Sequence, residues 1–174
     1  MRFAEYGDYD AIGLAELIRN KEISAVEAVE EAIARIEETN PKLNAVVFKA
    51  YDRARDAAKA GPQGPLGGVP VLLKDMRAHC VGMVTRSGSR YTSDAPATFD
   101  STLVARYKDA GLVPLGKTNV PEFGLIPCTE SKLWGTAENP WKRGFTAGGS
   151  SGGAASAVAA RMVPIAHATD AGGS

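Results

Sequence analysis

The chain has 174 residues, 44% hydrophobic and 23% charged, which suits one soluble globular unit with a sizeable core and excludes a disordered chain. Lys and Arg total 20 against 20 Asp and Glu, so a formal net charge of zero argues against general attraction to nucleic acid or an anionic membrane. Two cysteines, Cys80 and Cys128, are too few for a disulfide scaffold; with no signal-peptide pattern and no apolar run approaching ~18 residues, a cytoplasmic address is expected.

Asp10 is placed to cap a first helix carrying Leu14, Leu17 and Ile18 on one face. Ser24 and Glu27 form a capping box for a second, with Val26, Val29, Ile33 and Ile36 as its apolar stripe. Glu27, Glu30, Glu31, Glu37 and Glu38 read as its solvated side, and Asn40-Pro41 as its end. A strand over 43–48 and a helix over 51–60 precede the Gly/Pro break at 61–65, so residues 1–62 read as a helical scaffold region.

Val71-Leu72-Leu73 forms a short buried strand ending on Lys74-Asp75, and a lysine at the carboxyl end of such a strand stands where open α/β sheets place their chemistry. Burial would lower its pKa towards the range of a working base; a surface lysine or a Lys74–Asp75 pair is the plainer alternative. Residues 77–99 read as a loop with short strands, anchored by Met83, Val84 and Tyr91. Asp100 or Ser101 caps a helix with Leu103, Val104 and Tyr107, ended by Gly111, and 112–115 is the next strand. This β-α-β rhythm predicts a parallel or mostly parallel sheet.

Beyond it come a brief helical turn at 121–124, an irregular loop with Trp134, Asn139, Pro140 and Trp141, an Ala-rich helix over 153–161 and a strand over 162–166. Residues 146–174 draw most attention. Gly148-Gly149 leads into Ser150, and Gly172-Gly173 into Ser174, with one helix and one strand between, so the chain can fold back and bring the two hydroxyls together. Turn chemistry alone would also explain either cluster.

Three motifs weaken on inspection. Residues 111–118 match G-x-x-x-x-G-K-[ST] letter by letter, but the first glycine ends a helix and the middle is an extended apolar run, so a nucleotide-binding loop lacks its context. Gly148-x-Ser150-x-Gly152 fits a nucleophile elbow, yet only His167 follows, behind a helix and a strand. His79, Cys80, Cys128 and His167 have no metal-ligand spacing. With histidine scarce, lysine is the remaining base for a serine, which leaves Lys74, Ser150 and Ser174 as a constellation.

Residues 64–75, Gly116-Lys117-Thr118-Asn119, Pro121-Glu122-Phe123, Asn139-Pro140-Trp141, 148–153 and Thr169-Asp170-Ala171-Gly172-Gly173-Ser174 together resemble the amidase signature family. That resemblance implies a mixed, largely parallel α/β sheet flanked by helices and an amidohydrolase acting on a linear, cyclic or aryl carboxylic amide, with aryl acylamidases and cyclic-oligoamide hydrolases nearest. It implies Ser174 as nucleophile, Ser150 as a bridging serine after a cis peptide, Lys74 as base, and the main-chain N–H groups of Ala171, Gly172, Gly173 and Ser174 as the oxyanion hole. Asp170 would brace that loop.

The resemblance implies no cofactor and no metal, a small-molecule amide as substrate, no nucleic-acid or membrane partner, and is compatible with a homodimer. A glutamine-hydrolysing amidotransferase component is the alternative. Ala168 departs from the family's usual glycine. The family also continues beyond the position of Ser174, so 1–174 is expected to be the N-terminal portion of a single domain whose remainder activity would need.

Overall fold

The computed structural model describes residues 3–174. Helix α1 (Ala11–Arg19) starts at Asp10, whose Oδ1 accepts the N–H of Gly13 at 2.8 Å. Helix α2 (Ala25–Leu43) carries the full capping box: Ser24 Oγ accepts from Glu27 N at 3.1 Å, and the Glu27 carboxylate accepts from Ser24 N at 2.8 Å. Each bond satisfies an amide that would otherwise lack a partner at the helix start.

Two expectations for α2 fail. Pro41 does not end the helix, which runs to Leu43 and closes on Asn44 in the left-handed conformation (φ 49°). So near the carboxyl end a proline forfeits a single main-chain bond, and Asn40 ties the turn down by bonding both main-chain groups of Val46, at 2.7 and 2.9 Å. Glu31 is not solvated: it is buried and accepts from Arg35 Nε at 3.0 Å, while Arg35 lies over the Tyr6 ring. The segment before α1 thus covers part of a face that local charge alone would leave wet.

Then come β1 (Val46–Lys49), α3 (Tyr51–Lys59), β2 (Pro70–Lys74), α4 (Thr102–Asp109) and β3 (Val113–Thr118). Leu43 is still helical, so β1 begins later than expected. Ser101, not Asp100, caps α4; Asp100 instead accepts the N–H of Val81 at 2.8 Å and pairs with Lys108 at 2.6 Å. Residues 77–99 hold no strand, and Tyr91 is no anchor at 93% exposure, because only Met83 of the three reaches the core. Leu103 is likewise exposed.

Strand β3 extends beyond the expected 112–115 to take in Gly116, Lys117 and Thr118, so residues 113–118 of the phosphate-loop lookalike are extended chain paired with β2, and 116–118 with β1 as well. The hairpin β4 (Glu130–Ser131) and β5 (Gly135–Thr136), helix α5 (Gly152–Ala159) and β6 (Ile165–Ala166) complete the elements. The region between Pro121 and Gly144 is therefore less irregular than its sequence suggests, while β6 is shorter.

The main sheet has the order β1-β3-β2-β6, with β2 parallel to β3 and β6, and β1 antiparallel to β3. It is a mixed, largely parallel sheet flanked by helices, with α4 as the crossover between β2 and β3. A large apolar cluster unites α1, α2 and α3 with Val71, Leu72 and Leu115, and a smaller one joins Leu73, Cys80, Met83 and Val104. All five residues of central β2 are buried, which carries Lys74 into the interior at the strand's carboxyl end.

Candidate active site

Lys74 is fully buried, and three hydroxyl oxygens surround its Nζ: Ser150 at 2.6 Å, Thr169 at 2.7 Å and Ser151 at 2.8 Å. Ser174 Oγ lies 3.4 Å from the same nitrogen and in direct contact with Ser150 Oγ. The Gly149–Ser150 peptide is cis. Gly148 takes φ 80°, and a Cβ on Gly149 would come within 2.7 Å of the Cys128 nitrogen, so both positions demand glycine. From there α5 leads back over β2, β3 and β6.

Burial pulls the Lys74 ammonium down to about 8, although the Asp170 carboxylate works the other way. The hydrogen-bond inventory then has one economical solution. Ser151 Oγ donates to a carbonyl, that of Ser174 at 3.0 Å or Thr169 at 3.1 Å, so it can only accept from Lys74. As an ammonium Nζ can donate to Ser150, Ser151 and Thr169 together; on losing one proton it keeps two N–H donors, and with these on Ser151 and Thr169 its lone pair faces Ser150. Ser174 Oγ accepts the N–H of Ser150 at 3.2 Å, freeing its own proton for Ser150 Oγ. Such a chain can carry a proton from Ser174 to Ser150 to Lys74.

Asp75 does not pair with Lys74. Its carboxylate accepts the main-chain N–H of Arg86 at 2.8 Å, that of Gly88 at 3.3 Å and the Trp134 indole N–H at 2.9 Å. Burial nonetheless raises its pKa, against the effect of those donors. Asp75 thereby pins two loops immediately beyond the lysine.

The loop of Asp170, Ala171, Gly172 and Gly173 before Ser174 is exposed. Asp170 Oδ1 accepts the N–H of Gly172 at 2.9 Å and of Gly173 at 2.6 Å, and main-chain donors from Ser174, Gly173 and Gly172 hold its pKa low. Three of the amides expected to face a substrate, those of Gly172, Gly173 and Ser174, thus turn toward Asp170 in this structure. Loop and serines border a cleft of about 760 Å³, whose apolar wall includes Met76, Phe123, Leu125 and Ile126.

Sequence reasoning passes over Ser151 and Thr169 as individual groups. Neither carries a local signal beyond its motif, since the missing capping bond at Ser151 is visible only in the structure. His79, Cys80, Cys128 and His167 are not gathered: among the described residues no three His, Cys, Asp or Glu side chains are placed to hold a metal ion. Nor, among them, is any helix long and apolar enough to cross a membrane.

The Amidase family profile matches residues 27–174. The 6-aminohexanoate-cyclic-dimer hydrolase of Paenarthrobacter ureafaciens is 42% identical over 167 residues, covering 95% of this chain and 34% of that protein. A glutamyl-tRNA(Gln) amidotransferase component from Nitrosomonas europaea is 42% identical over 169 residues, covering 92% and 34%. The crystal structure of a bacterial aryl acylamidase of the amidase signature family superimposes with a TM-score of 0.85 at 41% identity, covering 91% of this chain and 34% of the other. The chain spans about a third of the length of these relatives.

Proposed function

The chain belongs to the amidase family, and from that premise we propose that it cleaves a carboxylic amide through an acyl-enzyme on Ser174, with Lys74 as base and Ser150 as proton bridge. The observation that carries this reading is the 2.6 Å approach of Lys74 Nζ to Ser150 Oγ, with Ser174 Oγ against the latter. As Ser174 Oγ bonds to the amide carbon, its proton passes to Ser150 and that of Ser150 to Lys74. Main-chain N–H groups of residues 171–174 stabilise the oxyanion once a substrate draws them from Asp170. The C–N bond then breaks as Lys74 returns the proton through Ser150 to the departing amine, and water cleaves the ester by the same route.

The apolar wall of the cleft suits an aryl or oligomethylene amide, in keeping with the cyclic-dimer hydrolase and the aryl acylamidase among its relatives. Since those proteins are about three times as long, the same proposal includes the rest of the family's domain as a requirement for activity. A cytoplasmic location belongs to it too, supported by two unpaired thiols.

In the intact enzyme a fluorophosphonate should label wild type and lose its target in Ser174→Ala. Labelling that survives in Ser174→Ala but disappears in Ser150→Ala would make Ser150 the nucleophile and overturn the role of Ser174. The base acts only when neutral, so kcat/KM should rise with pH along a limb centred near the Lys74 value of about 8. A limb near 6 would point to another group.

A second reading, glutamine hydrolysis for an amidotransferase, is favoured by the identity to the Nitrosomonas protein. Ammonia released from glutamine only with a partner would support it; turnover of anilides by the enzyme alone would count against it.

A further inference from the structure

The carboxyl end of β2 is held by an unusual acceptor. Along the β2–β6 ladder Val71 stands opposite Ile165 and Leu72 opposite Ala166, and His167 N donates to Leu72 O at 2.8 Å. In a regular parallel ladder the next donor, Lys74 N–H, would go to the main-chain carbonyl of His167. Here β6 has already ended, and Lys74 N–H goes instead to Nδ1 of the His167 side chain at 3.3 Å. The imidazole stands in for a missing strand residue.

We propose that His167 is a positioning residue, its neutral ring extending the sheet by one hydrogen bond so that Lys74 meets Ser150. This rests on the amide-hydrolysis reading above. Thr169, two residues on, supplies an oxygen 2.7 Å from Lys74 Nζ, so one short segment grips the lysine at its amide and at its amine. For Nδ1 to accept, the ring must carry its proton on Nε2 and remain uncharged. Its surroundings favour that: the side chain is buried, Lys74 on β2 and Lys117 on β3 are the cations facing it, and the Tyr107 ring of α4 packs edge-on at 6.2 Å. Burial, then Lys117 and Lys74, depress its pKa to about 4, so the ring stays an acceptor wherever Lys74 can act.

The test compares His167→Leu with His167→Asn in the intact enzyme, because asparagine Oδ1 can take the place of Nδ1 and leucine cannot. His167→Leu should lose about 10- to 100-fold in kcat, the scale of a small misplacement of a reacting group, with KM within about 2-fold. Its kcat/KM limb should also move upward from about 8 as the loosened amine gains water. His167→Asn should recover activity to within about 3-fold and restore the limb, as rescue of a hydrogen bond predicts. Equal behaviour of the two variants, both harmless or both equally damaged, would overturn the proposal.

Should His167→Leu not fold, nitrogen NMR of the wild-type imidazole decides: an Nε2-protonated, neutral ring supports the proposal and a proton on Nδ1 refutes it. Lys74→Ala, run in parallel, separates the two levels. Full activity there would sink the amide-hydrolysis reading, whereas loss there with an unaffected His167→Leu would sink only the role of His167.

Discussion

Helices α2 and α5 both start at a serine, and the two serines are put to different use. At α2, Ser24 Oγ accepts from Glu27 N and strengthens its own helix. At α5, Ser151 stands in the same position and makes no capping bond; its hydroxyl accepts from Lys74 and has its own proton for a main-chain oxygen of Thr169 or Ser174. The first region follows rules that operate within one helical turn. In the second a local preference goes unmet so that a buried amine is surrounded by oxygen. Burying such a group is costly unless its bonds are made, so the comparison separates residues that stabilise from residues that arrange chemistry.

The largest effect should come from Lys74→Met. Activity is expected to fall by about 10²- to 10⁴-fold, the usual contribution of a general base, with no loss of thermal stability, since the cost of burying an ammonium goes with it. A fall in stability matching the fall in rate would instead make Lys74 structural and erase the contrast.

Ser151→Ala should come next, lowering kcat by roughly 10-fold for a lost bond to the working amine, with urea unfolding shifted by under about 0.5 kcal/mol as there is no cap to lose. Ser24→Ala reverses the pattern. It should cost about 1 kcal/mol in the same unfolding experiment and leave kcat and KM alone. Equal profiles for the two serine variants would show that the helix starts do not differ in this way.

Legibility in the sequence follows the same division. Asp10, Ser24 and Gly111 announce helix boundaries correctly, because a cap involves residues three or four positions apart. Lys74 can be singled out from its place after an apolar strand, and the serines from their glycine neighbours. Glu31 misleads because the Tyr6 and Arg35 that enclose it belong to a separate segment and a later turn, and Pro41 because its helix is closed by contacts with Val46. Ser151 and Thr169 are hidden among motif letters, with nothing local to say which hydroxyl faces an amine.

The sequence by itself determined the capped helices, the buried central strand with lysine at its end, and the glycine-serine clusters, since these depend on side-chain chemistry and short spacings. Only the tertiary structure decided that Nζ of Lys74 meets hydroxyls 76, 77 and 95 positions away, and that the ring of His167 completes the edge of β2. Those contacts come from the packing of α5 and β6 against β2, and no rule confined to neighbouring residues contains the distance across a core.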